Sequence, residues 1–462
     1  MVQTRDVDVM VLGAGGGGYP AAFRLAGAGR SVAMVDPFGN LGGDCLAEGC
    51  VPSKAVREAA LVRTWPAKYR LFGLRGEPPE VDWRGVLAHK DRVQALRYAQ
   101  HRAELAAAKI AMHQGTGRIV DDHTVEVTTD GGEVLRYRAR QLILATGSRP
   151  HRLKIPGAEL AVTSHDVFRL GADLKFPRRL VAIGGGYIGL ETASMLQNLG
   201  AQATVLEATA EILPGVDPDL ARFLHTALAR RMSLVTNARV SAIGRGTDGD
   251  LRVRYETDGV AHTLAADCVL MATGRESVAP EGIAALGLPE GRIGVDDRLR
   301  TALAHVHAPG DVNGRSMLFH SAVCQSLVAA EDILSEGQGP ARMNFAAVPF
   351  TVFTEPELAW VGLTAAEAAE RNIETVVSGY DFRTDSRAQI FDDMEGFLKL
   401  VFARGSGILI GAQIAGLDAA HVIAPLALAV HTGATTTTLS LTAFPHPMLS
   451  EGINKAARAV RL

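Results

Sequence analysis

Short apolar runs, each closed by a glycine or an acid, alternate with amphipathic stretches along most of the chain. Val9-Met10-Val11-Leu12 runs into Gly13, and Leu180-Val181-Ala182-Ile183 runs into Gly184. Runs this short and this continuously apolar read as strands buried on both faces, as in a parallel sheet between helices. Ser31-Val32-Ala33-Met34-Val35 and Ala203-Thr204-Val205-Leu206 are two more, ending at Asp36 and Glu207. Ala266 to Ala272 reads as a strand holding Cys268, and Ser321 to Leu334 as a helix holding Cys324. Both cysteines are expected to be buried small hydrophobes. Farther on, Phe397 to Phe402 and Ile408 to Ala412 read as strands around the turn Arg404-Gly405-Ser406-Gly407, and Ala419 to Val430 as a helix. The longest apolar stretch, Val422 to Val430, is too short to span a bilayer and contains Pro425.

Within this α/β pattern one unit occurs twice. Gly13-Ala14-Gly15-Gly16-Gly17-Gly18 and Gly184-Gly185-Gly186-Tyr187-Ile188-Gly189 each follow a strand and precede a helix, and an acid, Asp36 or Glu207, stands 23 residues after each first glycine. The first glycine permits the bend, the second lets backbone approach a diphosphate, and the third lets helix pack on strand. The helix N-terminus then faces the phosphates. An acid at that distance accepts both ribose hydroxyls of an adenosine moiety. Two such units imply two dinucleotides, with FAD expected at the first and a nicotinamide at the second. Glu207 would repel a 2'-phosphate, and no Lys or Arg follows it before Arg222, so NAD(H) is expected over NADP(H).

Composition narrows the setting. A chain of 462 residues, 47% hydrophobic with 49 glycines, has room for about three domains. A net charge of -3 gives no reason to expect nucleic acid or an anionic membrane as partner. Arg5, Asp6 and Asp8 break any apolar run near the start, so the reading is a cytoplasmic protein.

Cys45 and Cys50 lie five positions apart in Gly42-Gly43-Asp44-Cys45-Leu46-Ala47-Glu48-Gly49-Cys50-Val51-Pro52-Ser53-Lys54. In a regular helix their Cα atoms would be roughly 8 to 9 Å apart, beyond the reach of a disulfide. A bridge needs distorted backbone, which Gly49 can supply. In a cytoplasmic protein such a pair points to redox chemistry.

The residues resemble the pyridine nucleotide-disulfide oxidoreductases over nearly the whole chain. Besides the glycine turns and the cysteine block, the resemblance rests on Ala145-Thr146-Gly147-Ser148-Arg149-Pro150 and its echo Ala272-Thr273-Gly274-Arg275. It continues through Ala308-Pro309-Gly310-Asp311, Val348 to Glu357, and His446-Pro447-Met448-Leu449-Ser450-Glu451. It implies two Rossmann-like dinucleotide-binding domains with an α+β dimerisation domain. The expected divisions are 1–150 (FAD, first part), 151–270 (NAD), 271–343 (central, completing the FAD part) and 344–462 (interface of a homodimer).

The resemblance also implies roles. Cys45 is the outer thiol that exchanges with substrate, and Cys50 the inner one, facing the flavin as a thiolate. His446 is the base, oriented by Glu451 and supplied by the partner subunit. Lys54 and Glu191 form an ion pair between flavin and nicotinamide. Tyr187 is either a lid over the nicotinamide face or a plain packing residue. Asp311 binds the ribityl chain of FAD, with backbone contacts from Gly117 and Phe319 and further contacts from Gly43, Asp44, Thr146 and Gly147. On the NAD side, Val240 and Gly274 lie near the adenine and nicotinamide ends. No metal site is expected.

The expected reaction oxidises a dihydrolipoyl group on a carrier protein and passes hydride to NAD. The alternatives are an NAD(P)H-dependent reductase of another disulfide or of mercuric ion, and a redox-sensing flavoprotein of low turnover. Four residues depart from the family pattern: Asp44 and Met448 replace threonines, and Ala47-Glu48 replaces Asn-Val. The two added carboxylates are expected to raise the pKa values of the thiols or disfavour an anionic disulfide.

Overall fold

The computed structural model describes residues 3–461. Its first sheet has six strands. Thr4–Leu12 lies at its centre, parallel to Val32–Asp36 on one side and Val134–Leu144 on the other, with Leu12 beside both Val35 and Leu144. Ala111–Ile119 and Thr124–Thr129 extend it, and Val306–His307 returns from far along the chain to pair with Val134–Leu144. The second parallel sheet repeats that core: Arg179–Ile183 runs between Gln202–Leu206 and Cys268–Met271, and Ile183 lies beside Leu206 and Met271. A three-stranded antiparallel sheet, Arg239–Arg245, Leu251–Thr257 and Val260–Ala266, covers this unit. Ser148–Pro150 and Arg275–Ser277 pair as the two connections between the units. A five-stranded antiparallel sheet from residues 350–416, packed against Ala419–Thr432 and Glu451–Ala459, forms the last unit.

Six helices position the site: α1 (Tyr19–Gly27), α2 (Gly43–Ala47), α3 (Cys50–Thr64), α4 (Trp83–Ala108), α5 (Ser164–Phe168) and α6 (Tyr187–Asn198). The two glycine turns are near copies. Gly13 and Gly184 have φ of 99° and 109°, and a Cβ on either would lie 2.2 or 2.3 Å from the carbonyl oxygen of Ala145 or Ala272. At Gly18 and Gly189 a Cβ would stand 2.0 Å from the carbonyl oxygen of the first glycine of the turn. Only glycine fits at these places.

The expected strands around residues 404–407 are Phe397–Ala403 and Leu409–Gly416, and the helix from Ala419 runs to Thr432 through Pro425. Cys268 is buried in its strand. Cys324 corrects the expectation: it is exposed on Phe319–Leu334. The buried face of that helix is the small and polar one. Ser326 accepts the Ala21 N–H, Gln325 accepts from Gly310 and Asn313, and Asp332 pairs with Arg298, Arg300 and His307. Leu327 and Cys324 therefore face outward.

Candidate active site

One cavity of about 870 Å³ runs from the first glycine turn, past both cysteines, to α6. That volume suits a large cofactor. Gly13, Gly15, Asp36, Gly43, Asp44, Cys45, Cys50, Lys54, Gly117, Thr146, Gly147, Tyr187, Glu191, Asp311 and Phe319 all line it. Gly15 meets nothing closer than the Gly43 Cα, 3.8 Å from an added Cβ, and Gly186 in the second turn has nothing within 4 Å. Backbone at both turns is thus open to a diphosphate, and the residues fit a dinucleotide at each.

The two acids are held alike. Asp36 Oδ2 accepts from Ala14 N–H at 2.8 Å and Oδ1 from Phe38 N–H at 2.8 Å. Glu207 Oε2 accepts from Gly185 N–H at 2.6 Å and Oε1 from Thr209 N–H at 2.8 Å. Burial pushes the Asp36 carboxyl up against these bonds. Gly18, Gly184, Gly186, Gly189, Glu207, Val240 and Gly274 lie outside the cavity. Val240 packs its side chain into the core of the second unit, two residues after Ala238, whose N–H bonds the Glu207 carbonyl.

The helix that would have separated the cysteines breaks between them. α2 ends at Ala47, Glu48 caps it, and Gly49 turns the chain before Cys50 opens α3. A Cβ on Gly49 would lie 3.0 Å from the Asp44 carbonyl oxygen, so the break depends on glycine there. Both cysteines are free thiols. Their mutual interaction is the largest influence on each: it raises the Cys45 thiol and lowers Cys50, and the Lys54 ammonium lowers Cys50 further. Cys50, exposed where Cys45 is half-buried, is the one disposed to ionise.

Lys54 Nζ lies 2.7 Å from Glu191 Oε2 and 4.3 Å from the centre of the Phe353 ring, and Glu191 Oε1 accepts the Phe353 N–H at 2.9 Å. Tyr187 packs edge-on against Phe350, and burial pushes its hydroxyl up to about 12. Asp311 accepts from Ser148 Oγ at 2.5 Å, and burial raises its carboxyl. His446 is absent from the cavity wall. It lies on the surface with its side chain 70% exposed, its Nδ1 2.9 Å from Glu451 Oε2.

The added carboxylates do not stand alone, which revises the expectation for them. His165 Nε2 is 2.7 Å from Asp44 Oδ1, and its Nδ1 is 2.8 Å from Glu48 Oε2. Arg275 is 2.7 Å from Asp44 Oδ2 and also donates to Ser148 Oγ at 2.8 Å. Burial opposes ionisation of Asp44, but the nearby His165 and the Arg275 charge hold its carboxyl below the usual range. Its charge still raises both thiols, as a lesser influence. Asp44, Glu48 and His165 are close enough to hold a cation. In this structure His165 instead faces the two carboxylates with its two ring nitrogens, an ion-pair arrangement. His165 and Arg275 carried no signal in the sequence, since their partners lie more than a hundred residues away in the chain.

Two dinucleotide turns that converge on a thiol pair define a flavoprotein disulfide oxidoreductase, an enzyme that joins thiol chemistry to hydride transfer through FAD and NAD. The comparisons with known proteins agree. The chain belongs to the pyridine nucleotide-disulphide oxidoreductase family, which matches residues 7–326, and the family's dimerisation domain matches residues 348–457. It is 35% identical to dihydrolipoyl dehydrogenase of Geobacillus stearothermophilus over 460 residues, covering 98% of this chain and 96% of the relative. It is 32% identical to the mitochondrial dihydrolipoyl dehydrogenase of Dictyostelium discoideum, covering 98% and 94%. Among solved structures, LpdA from Mycobacterium tuberculosis has a TM-score of 0.89 at 27% identity, covering 98% of this chain and 99% of that one. A Cu(II) complex of the flavoprotein disulfide reductase RclA from Escherichia coli has a TM-score of 0.85 at 25% identity, covering 99% and 100%. No helix among the described residues is long and apolar enough to cross a membrane.

Proposed function

We propose that the protein is a dihydrolipoyl dehydrogenase of the cytoplasm, a homodimer that oxidises a dihydrolipoyl group borne by a carrier protein and reduces NAD. The observation that carries this reading is the thiol pair, with its outer member raised and its inner member lowered, on the wall of a cavity shared by the first glycine turn and by Glu191 of α6. The proposed division of labour is 1–150 with 271–343 for FAD, 151–270 for NAD and 344–462 for the dimer interface.

In the oxidised enzyme, where Cys45 and Cys50 are joined as a disulfide, a substrate thiolate attacks Cys45 Sγ and breaks its bond to Cys50, which leaves as a thiolate beside Lys54. His446 of the partner subunit, oriented by Glu451, takes the proton of the second substrate thiol. That sulfur attacks the mixed disulfide, releasing a cyclic disulfide and the Cys45 thiol. Gly13, Gly15, Asp36 and Asp311 would hold FAD, which would supply two-electron transfer between the thiol pair and NAD. Glu207 holds the adenosine ribose and opposes a 2'-phosphate, and Lys54 with Glu191 fixes the spacing between α3 and α6.

The test is Cys45→Ser under anaerobic rapid mixing. Turnover with dihydrolipoamide should be abolished while NADH still reduces the flavin, and loss of both would overturn the assignment of roles. Oxidised glutathione and mercuric ion, offered to the wild type, should be slow oxidants compared with lipoamide.

A further inference from the structure

α2 is five residues long and carries Cys45 at its middle. A helix this short does not hold itself together in water. Asp44 sits in its first turn and Glu48 at its C-cap, and His165 reaches both, at 2.7 and 2.8 Å. Both are ion-pair contacts, and Asp44 Oδ1 has no hydrogen-bond partner of its own. Two carboxylates this close to opposite ring nitrogens favour the imidazolium. Burial works against that charge, but the contacts with Asp44 and Glu48 outweigh it and push the His165 pKa up to about 9.

The bearings of α5 and α2 on one another are set by buried residues of α4. Gln94 donates to the carbonyls of Leu46 and Ala47 at 3.0 and 2.8 Å, and Lys90 donates to those of Phe168 and Arg169 at 3.3 and 2.8 Å. Lys90 also bonds Gln94 at 3.0 Å, so one strut grips the ends of both helices.

The groups around His165 are few. Asp44 and Glu48 face it from α2 and its cap, and Arg275 from the strand Arg275–Ser277, with Nη1 3.4 Å from Nε2. Tyr98 of α4 lies near Glu48, and burial together with that charge raises its hydroxyl to about 12, so it is neutral. Asp166, on α5 itself, is turned to Thr163 and Arg152. Asp311 bonds Ser148, which Arg275 also contacts, and it feels the charges of Arg275 and Asp44 while burial favours its neutral form. The two carboxylates, His165 and Arg275 thus sum to zero charge.

We propose that His165 is a positioning residue for the thiol pair: held between Asp44 and Glu48, it fastens both ends of the Cys45 helix and offsets part of the carboxylates' field at the two sulfurs. The inference rests on Cys45 and Cys50 being the redox pair. It assigns to the unusual Asp44 and Glu48 a purpose that neither has without His165.

The experiment follows the pH dependence of alkylation of Cys45 and Cys50 by iodoacetamide in the reduced full-length protein, read residue by residue by mass spectrometry. His165→Gln leaves two anions against Arg275 alone. The half-point of the Cys50 profile should rise by about one pH unit, with about tenfold less thiolate at neutral pH. Asp44→Thr/Glu48→Val/His165→Gln, which leaves Arg275 unopposed, should bring the Cys50 half-point back to the wild-type value or below it. An unchanged profile in His165→Gln, or a triple variant as perturbed as the single one, overturns the proposal. Should His165→Gln fail to fold, Glu48→Gln serves: it removes one anchor, and the break of the wild-type profile near pH 9 should move downward, whereas a fixed break overturns the proposal. Full disulfide turnover by Cys45→Ser would instead defeat the redox assignment, which distinguishes the two failures.

Discussion

Lys54 Nζ stands 2.7 Å from Glu191 Oε2, and this contact ties the helix that begins at Cys50 to the helix of the second glycine turn. Glu191 is 7% exposed, so removing its cation leaves a carboxylate with only the Phe353 N–H. Lys54→Met should cost about 3 kcal/mol of stability in a denaturant titration. It should also raise the Cys50 thiol, because the ammonium is one of the influences that lower it. Double replacement, Lys54→Met with Glu191→Leu, should recover most of the stability without recovering the thiolate.

Asp36 and Glu207 take up matching bonds from their own glycine turns. The second acid should therefore govern coenzyme choice. Glu207→Arg is expected to weaken NADH binding by at least about tenfold and strengthen NADPH binding, measured by anaerobic titration of flavin reduction. Unchanged preference would show that the ribose lies elsewhere.

Glu451 lies at the start of its helix and holds His446 by Nδ1. His446→Gln should lower dihydrolipoamide turnover by about 100- to 10,000-fold, the span expected for loss of a general base. Glu451→Gln should cost less, since the base remains and only its orientation suffers. Flavin reduction by NADH should be near wild type in both, and a large loss there would count against the assigned base.

The His165 pKa of about 9 exceeds the ordinary 6.5. A group whose pKa is raised by folding stabilises fully below its unfolded value and loses that contribution as pH climbs through the folded one. The wild type should therefore lose up to about 3 kcal/mol between roughly pH 6.5 and 9. Calorimetry of His165→Gln over the same range should show a flatter curve.

The repeated unit was legible because each part depends on local backbone. An apolar run, a glycine at positive φ and an acid at a strand end leave marks within about two dozen residues. The cysteines were legible through Gly49 between them. What stayed hidden depends on tertiary approach. Asp44 and Glu48 looked like uncompensated charge because His165 and Arg275 are remote in sequence. Nothing near Lys90 and Gln94 in the chain marks them as interior, yet both are fully buried. Cys324 misled because its helix buries serine, glutamine and aspartate and turns leucine outward, so hydropathy alone selects the wrong face.

The placement of His446 on the surface, away from the cavity that holds Cys45, has a genetic corollary. Where the base comes from the partner, a chain lacking Cys45 and a chain lacking His446 are each inactive as homodimers. Their mixed dimer brings an intact cysteine pair together with an intact histidine at one of its two sites. Two inactive chains expressed in one cell would then restore thiol turnover that neither supports, and dilution of the purified protein would extinguish thiol exchange while sparing the reaction with NADH.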